Sequence, residues 1–448
     1  MDVTVIETSG LGDRSYLVSD AGLAAVIDPQ RDIDRVLDAA AARDASITHV
    51  LETHIHNDYV TGGLELARTV GAEYIVAAAD DVGFARRAVS DGDVVDVGPF
   101  RLQAMHTPGH THTHLSYVLR TVEGAAVGVF TGGSMLHGTT GRTDLLGDEH
   151  TRELSHAQFH SVRRLAAELP DGVEVYPTHG FGSFCSASPA SGDSSTIGEQ
   201  RHTNPALTGD EATYVDELIA GLGAYPAYYA HMGVINAAGP APVDLSMPEP
   251  VDPVELRRRI DAGEWVVDLR DRKAFAAGHL CGALGFELST QFVTYLGWLY
   301  TWGAPMTLIG EDSGQVLEAR RELARIGVDD LTGSATGDLA ALAGGTPLNS
   351  YRVASFTDLA NEIDHAQLTV LDVRQREEYA SGHIRGAMNI ALPELLARRD
   401  EVPAGEVWVH CGTGYRASIA ASIIERDDLT VVLIDDEFDS AAQKLIVG

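Results

Sequence analysis

The C-terminal half of the chain repeats itself at a constant offset of 104 residues. Asp-Leu-Arg-Asp-Arg at 268–272 and Gly-His-Leu at 278–280 match Asp-Val-Arg-Gln-Arg at 372–376 and Gly-His-Ile at 382–384. In both copies an apolar run leads into the Asp, and a later strand, a helical segment and a closing strand follow. Self-similarity at a fixed period indicates duplicated folding units. We therefore predict two α/β domains, over residues 252–345 and 352–448.

A third domain precedes this pair. The chain has 448 residues, and a prior of about 150 residues per domain allows three domains. Strand-like and helical segments alternate up to about residue 180, and a proline-rich stretch at 239–253 has the composition of a linker. We place the N-terminal domain at residues 1–245.

The charge of the chain excludes some partners. Its formal net charge is -33, which disfavours nucleic acid and anionic membrane surfaces. No apolar run approaches the roughly 20 residues of a membrane span, and the N-terminus does not have the pattern of a secretory signal. Three cysteines cannot build a disulfide framework. We predict a cytoplasmic protein without nucleic-acid or membrane partners, possibly a homo-oligomer.

Histidines follow predicted strands of the N-terminal domain. His54, His56 and Asp58 come directly after a buried strand, and alternation places the two histidines on one side of the chain. His110 follows a Pro-Gly turn, and His179 follows another strand. Imidazole and carboxylate groups collected at strand ends are typical of a metal site. We predict that these five residues surround a metal ion.

This pattern resembles the metallo-β-lactamase fold, an αββα sandwich with metal at one edge. Phe-Thr-Gly at 130–132, Gly-Arg-Thr-Asp-Leu at 141–145 and the segment 195–201 resemble the persulfide dioxygenases within that superfamily. The resemblance implies one Fe(II) per chain held by two histidines and a carboxylate, with O2 and a low-molecular-weight persulfide, such as a glutathione persulfide, as substrates. Zinc is the alternative metal.

Two positions depart from the family pattern. Tyr59 stands where the superfamily has a further histidine, which favours a mononuclear site. Gly133 stands where the dioxygenases carry an Asp ligand. The third ligand could then be a carboxylate from Asp58 or Asp144, or His56 could complete a face of three histidines.

A cysteine lies between a strand and a helix in the last repeat. Cys411 follows the apolar run 407–410 and precedes a helix, where amide N–H groups and the helix dipole stabilise a thiolate. The segment resembles the rhodanese active loop. By that resemblance Cys411 carries sulfane sulfur, and the cradle for the persulfide consists of Gly412, Thr413, Gly414, Tyr415 and Arg416. The middle copy has Gly-Glu-Asp at 310–312 instead of the thiol, so we expect it to be catalytically silent.

Cys185 lies six residues after His179. Two interpretations are open: a second sulfur-carrying thiol at the mouth of the metal site, or a packed core cysteine.

The sequence thus predicts an α/β multidomain protein, an N-terminal αββα metallo-β-lactamase sandwich followed by two rhodanese-like α/β domains. The expected activity is oxidation of a persulfide by O2 at the iron site, with sulfur transfer through Cys411 and sulfite or thiosulfate as product. The alternatives are a metal-dependent thioester hydrolase, which would use a metal-bound water of lowered pKa, and a sulfur-relay protein with a degenerate metal site.

Overall fold

The computed structural model describes residues 1–188, 190, 192–364 and 367–447. It divides into two compact units. The first comprises Met1–Asp244 together with Leu323–Gly327, and the second comprises the rest of the described chain. Within the described ranges, no helix is long and apolar enough to cross a membrane.

The first unit is built on two sheets. The first sheet has strands in the order β1 to β6: β1 (Asp2–Thr8), β2 (Asp13–Asp20), β3 (Leu23–Ile27), β4 (Ser46–Leu51), β5 (Glu73–Ala77) and β6 (Arg87–Val89). The second has the order β11 to β7: β7 (Val94–Asp96), β8 (Phe100–His106), β9 (Leu115–Thr121), β10 (Ala126–Gly132) and β11 (Glu174–Pro177).

Seven helices accompany these sheets: α1 (Asp34–Ala41), α2 (Gly63–Val70), α3 (Asp148–Glu168), α4 (Ile197–Thr203), α5 (Pro205–Thr208), α6 (Glu211–Gly221) and α7 (Tyr229–Ala238). The period of two in each strand assigns its residues to two cores. Tyr16 and Ile27 pack between the sheets with Phe100, whereas Leu17 and Val26 face the side of α1 and α2. The second sheet packs its other face on α3 and α6. This order of layers is the predicted αββα sandwich.

In its described residues, the second unit contains two parallel sheets and a short antiparallel pair of His383–Ile384 with Ile446–Val447. The elements up to residue 342 are α8 (Pro253–Asp261), β12 (Trp265–Asp268), α9 (Arg272–Ala277), β13 (Leu284–Gly285), α10 (Phe292–Leu299), β14 (Met306–Gly310), α11 (Ser313–Arg325), β15 (Leu331–Thr336) and α12 (Leu339–Leu342). The last turn of α11 is grouped with the first unit.

The remaining elements are β16 (Arg352–Ala354), α13 (Phe356–Glu362), β17 (Leu368–Asp372), α14 (Arg376–Ala380), β18 (His383–Ile384), β19 (Met388–Asn389), α15 (Leu392–Arg398), β20 (Gly405–His410), α16 (Tyr415–Ile424), β21 (Leu429–Ile434) and β22 (Ile446–Val447). The strand orders are β13-β12-β14-β15 and β16-β21-β20-β17-β19. The order β13-β12-β14-β15 therefore matches the order β19-β17-β20-β21 in the other sheet. This likeness is the structural counterpart of the sequence repeat, and β20 leads into Cys411 where β14 leads into residues 310–312.

Candidate metal centre and thiol loop

The four predicted histidines lie close together in the first unit, in segments that follow strands of its two sheets. His54 and His56 lie in the segment after β4, His110 lies in the loop after β8, and His179 comes two residues after β11. Each is at most 1% exposed. Because bulk water does not reach these imidazoles, their nitrogens need partners from the protein or from a bound ion.

The buried ligand atoms fall into three groups, each with all its atoms within 4.8 Å of one another. The groups are His54, His110 and His179; His56, Asp58 and His179; and Asp28, Glu52 and His56. Among the described residues, no group contains both His54 and His56, and the expectation that they face one ion stays a prediction. The His56 Nε2 atom lies 3.3 Å from a carboxylate oxygen of Asp28 and 3.3 Å from one of Glu52, which turns it away from the first group.

The first group fits a metal ion. The Nε2 atoms of His54 and His179 lie 3.4 Å apart, and within the part of the chain that the structure describes, His110 Nε2 has no hydrogen-bond partner although it is buried. A buried nitrogen without a partner is costly, and a cation between the rings would satisfy it.

The other ring nitrogen of each histidine in this group is held by the protein. His179 Nδ1 lies 2.9 Å from Asp13 and 3.0 Å from Asp58. His110 Nδ1 lies 2.7 Å from the carbonyl oxygen of Arg142, and His54 Nδ1 lies 2.9 Å from the Thr53 hydroxyl. Such partners orient ligating imidazoles in metalloproteins.

Charge within the cluster follows from burial and from the neighbours. Burial and the nearby His179 lower the pKa of His110 to about 3. Burial and the surrounding imidazoles also hold the pKa of His54 well below its usual range. Burial opposes a charge on His179, but Asp58 and Asp13 outweigh it and raise the pKa of His179 to about 10. His54 and His110 are therefore neutral at pH 7, the state in which imidazole ligates metals.

The carboxylates proposed as replacements for the missing ligand are engaged elsewhere. Both oxygens of Asp144 accept hydrogen bonds of 2.7 Å from Arg142, and Asp144 belongs to none of the three groups. One oxygen of Asp58 contacts His179 Nδ1, whereas its other oxygen is buried without a hydrogen-bond partner among the described residues, and Asp58 remains in the second group. Tyr59, at the position of the superfamily's further histidine, is buried with its hydroxyl 3.0 Å from His56 Nε2.

The ring of His110 occupies the space beside Gly133. A Cβ at position 133 would lie 2.3 Å from His110 Cδ2, and a Cβ at position 141 would lie 2.8 Å from His110 Nδ1. Both separations are far below contact distance, so the two glycines form a slot for the imidazole. The position that lacks the carboxylate is therefore in close contact with the His110 ring.

Substitution of Gly133 by Ala is expected to weaken metal binding at least tenfold. The added methyl group displaces the His110 ring, and overpacking of this kind costs about 1–3 kcal/mol of stability. Gly172→Ala is the matched control, because no described atom lies within 4 Å of its Cβ position. Chelator competition and thermal unfolding measure both effects. A Gly133→Ala protein that binds metal as tightly as the Gly172→Ala protein would contradict the slot.

Cys185 lies beside the metal centre and is completely buried. Burial and the charges of Asp58 and Asp13 hold the pKa of its thiol well above the usual range. Because the thiolate is the nucleophile, these surroundings favour the packed cysteine over the second sulfur-carrying thiol.

Sequence reasoning missed four residues around the histidines. Asp13 contacts His179, and Asp28 and Glu52 contact His56. His114 is bonded on both nitrogens, to Thr107 and to the amide of Gly133. Asp28 and Glu52 each follow a buried strand, which is the signal that could have found them. Nothing local in the sequence marks Asp13.

The thiol loop connects β20 to α16. Cys411 is 1% exposed, and the amide of Gly414 donates to its Sγ atom over 3.1 Å. Gly414 has a φ of 93°, which favours glycine at this tight turn. Arg416 is paired with both oxygens of Glu378 at 2.6 and 2.8 Å. Its guanidinium thus holds the loop against α14 instead of standing free for an anion.

The preceding copy of the repeat holds this loop from the other side. The Tyr415 hydroxyl donates to the carbonyl oxygen of Glu287 over 2.7 Å. Asp435 is so close to the loop that a Cβ on Gly414 would lie 2.1 Å from its Oδ1 atom, and Arg272 binds that oxygen over 2.7 Å. The preceding copy of the repeat thereby fixes the position of the Cys411 loop.

Arg272→Gln is expected to lower the rate of sulfur transfer through Cys411 at least tenfold. The substitution leaves the buried Asp435 carboxylate against Gly414 with only Lys273 as a cationic partner, and a buried charge that loses its partner destabilises its surroundings. The control is Arg257→Gln, which removes an exposed ion pair with Asp261. Equal transfer rates in the two variants would contradict this role of Arg272.

Comparisons with known proteins agree with both folds. The model of the metallo-β-lactamase superfamily matches residues 3–179, and the model of the rhodanese-like domain matches residues 355–442. The chain therefore joins a metallo-β-lactamase superfamily domain to a C-terminal rhodanese-like domain.

Persulfide dioxygenases are among its relatives. The human mitochondrial persulfide dioxygenase ETHE1 is 28% identical over 225 residues, which cover 48% of this chain and 76% of the relative. The hydroxyacylglutathione hydrolase of Polaromonas sp. is 31% identical over 172 residues, and this chain spans 62% of its length.

A solved structure matches more of the chain. The crystal structure of a metallo-β-lactamase from Staphylococcus aureus subsp. aureus COL is 29% identical with a TM-score of 0.67, and the match covers 75% of this chain and 99% of the other. Taken with the two family models, these comparisons confirm the resemblance to a persulfide dioxygenase joined to a rhodanese-like domain, and the rhodanese-like model matches the last copy of the repeat.

Proposed function

We propose that this protein oxidises a low-molecular-weight persulfide with O2 in its N-terminal domain and transfers sulfane sulfur through Cys411. The observation that carries the proposal is the buried cluster of His54, His110 and His179 with its orphaned nitrogen, in one chain with a rhodanese loop. The resemblance to the human persulfide dioxygenase supports this choice of substrate.

The overall reaction balances without a further reductant. A persulfide R–S–SH, O2 and H2O give the thiol R–SH, sulfite and two protons. The sulfane sulfur loses four electrons, and O2 takes up the same four. A bound iron would supply the redox chemistry and the coordination positions for O2 and the sulfur.

The protein residues position this chemistry and exclude water. The four histidines are fully buried, and Asp13, Asp58 and the Arg142 carbonyl fix the orientation of two of the rings. A rigid, dry site of this kind keeps a reactive sulfur intermediate from bulk water.

Cys411 performs a separate group transfer. A Cys411 persulfide can give its outer sulfur to sulfite, which breaks the S–S bond, forms thiosulfate and returns the Cys411 thiolate. The Gly414 amide and the N-terminus of α16 stabilise that thiolate as it leaves.

A second candidate is hydrolysis of a thioester, supported by the likeness to hydroxyacylglutathione hydrolases. One experiment separates the two functions. Protein loaded with iron or with zinc is given glutathione persulfide or a hydroxyacyl glutathione thioester, and O2 consumption and thiol release are followed. We expect O2 consumption with persulfide in the iron protein only. Thioester cleavage in the zinc protein without O2 consumption in the iron protein would favour the hydrolase.

A further inference from the structure

We infer that His179 is the third metal ligand in place of the carboxylate missing at Gly133, so that one ion is held by the Nε2 atoms of His54, His110 and His179. This inference rests on the proposed function, because it assumes that the N-terminal domain holds a metal. It assigns a neutral face of three imidazoles where the family pattern has two histidines and a carboxylate.

The hydrogen-bond network sets the tautomer of each of these histidines. The Thr53 hydroxyl donates its proton to the Asp28 carboxylate over 2.7 Å. It can therefore only accept from His54 Nδ1, which must carry the ring proton. His110 Nδ1 faces the carbonyl oxygen of Arg142, which is also an acceptor only. Both rings thus carry their lone pairs on Nε2, and that of His110 has no hydrogen-bond partner among the described residues.

His179 is oriented in the same way. Its Nδ1 atom faces the carboxylates of Asp13 and Asp58, which accept its proton. A metal ion on Nε2 would displace the second ring proton, and the lone pair would then be on Nε2, 3.4 Å from His54 Nε2. Two ligands about 2.05 Å from a metal at a tetrahedral angle are about 3.3 Å apart. The observed separation fits a shared ion, and in the metal-free protein the same two nitrogens are within hydrogen-bond distance.

The other histidines and acids of the cluster make contacts with the protein that do not direct a ligand atom at the same ion. His56 lies between the carboxylates of Asp28 and Glu52 and compensates their charge. His114 uses both nitrogens for hydrogen bonds, to Thr107 and to the Gly133 amide. Asp58 lies on the Nδ1 side of His179, and the two nitrogens of an imidazole point in divergent directions.

The slot beside His110 gives an independent reason for the exchange of ligands. The His110 ring fills the volume in which a side chain at position 133 would begin, so the position that lacks the carboxylate also lacks room for one. Three imidazoles suit iron, zinc, nickel or copper and not magnesium or calcium. Without a carboxylate ligand, the bound ion keeps its full charge of two and attracts an anionic sulfur ligand more strongly.

X-ray absorption spectroscopy of the protein loaded with one equivalent of Zn(II) or Fe(II) tests the ligand set directly. The outer-shell scattering counts imidazoles, and we expect three in the wild type and in Asp58→Asn, but two in His179→Ala. Metal affinity, measured by chelator competition, is expected to fall more than 100-fold in His179→Ala.

The possible failures can be told apart. Two imidazoles and a carboxylate in the wild type would overturn the assignment of His179 and leave the proposed function in place. An unchanged imidazole count in His179→Ala would also overturn it. A wild-type protein that retains neither Fe(II) nor Zn(II) would contradict both proposals. Circular dichroism verifies that His179→Ala is folded, and His179→Gln, which keeps volume and polarity, is expected to show the same loss of one imidazole.

Discussion

Replacing Cys411 by Ser is expected to abolish sulfur transfer from thiosulfate to cyanide, with a loss of about 1,000-fold or more. The reaction passes through a persulfide on Sγ, and a serine hydroxyl can neither hold sulfane sulfur nor ionise near pH 7. The Sγ atom already accepts the Gly414 amide at the end of β20, so the substitution removes the reacting atom and leaves the loop in place.

The matched control is Cys281→Ser, because Cys281 is an exposed free cysteine in the same unit. Its transfer rate is expected to equal that of the wild type. Transfer that survives in Cys411→Ser and disappears in Cys281→Ser would show that the middle copy of the repeat carries the sulfur. That result would contradict our account. O2 consumption by the N-terminal domain is expected to continue in both variants.

His110→Ala is expected to remove the metal and all O2 consumption with glutathione persulfide. The substitution deletes an imidazole of the cluster whose Nε2 atom is buried and without a hydrogen-bond partner in the described part of the chain, and it opens a cavity beside Gly133. Loss of one ligand from a site of three is expected to weaken metal binding more than about 100-fold, beyond the effect of altering a ligand's hydrogen-bond partner.

His112→Ala is the control for this variant, since His112 is exposed and lies two residues along the same loop. Metal content by mass spectrometry and O2 uptake should match the wild type. Sulfur transfer through Cys411 should be normal in both proteins. Stoichiometric metal in His110→Ala would show that the ion is bound elsewhere.

The sequence is sufficient to predict the histidines from local patterns, whereas the sandwich was predicted from the resemblance to the metallo-β-lactamase fold. Strand patterns placed His54 and His179 at strand ends, the Pro-Gly turn marked His110, and the repeat indicated the α/β pair. The contacts of His56 with the carboxylates of Asp28 and Glu52 could not be predicted, because they depend on the tertiary structure. Asp28 is distant in the chain and is brought to His56 by the pairing of β3 with β4.

Gly133 illustrates a different limit. The sequence shows that a carboxylate is missing, but only the packing shows that the His110 ring fills its place. Asp13 lies 166 residues from His179, and the pairing of Arg416 with Glu378 spans 38 residues. Contacts of this range depend on the tertiary structure and have no local sequence signal.

The central claim is that the N-terminal domain consumes O2 to oxidise a persulfide. The most direct measurement uses Cys411→Ser protein, loaded anaerobically with iron and mixed with glutathione persulfide at an O2 electrode, with sulfite determined in the same sample. We predict that O2 is consumed and sulfite is formed in equal amounts, without thiosulfate. The absence of O2 consumption by protein that holds one iron per chain would contradict the claim.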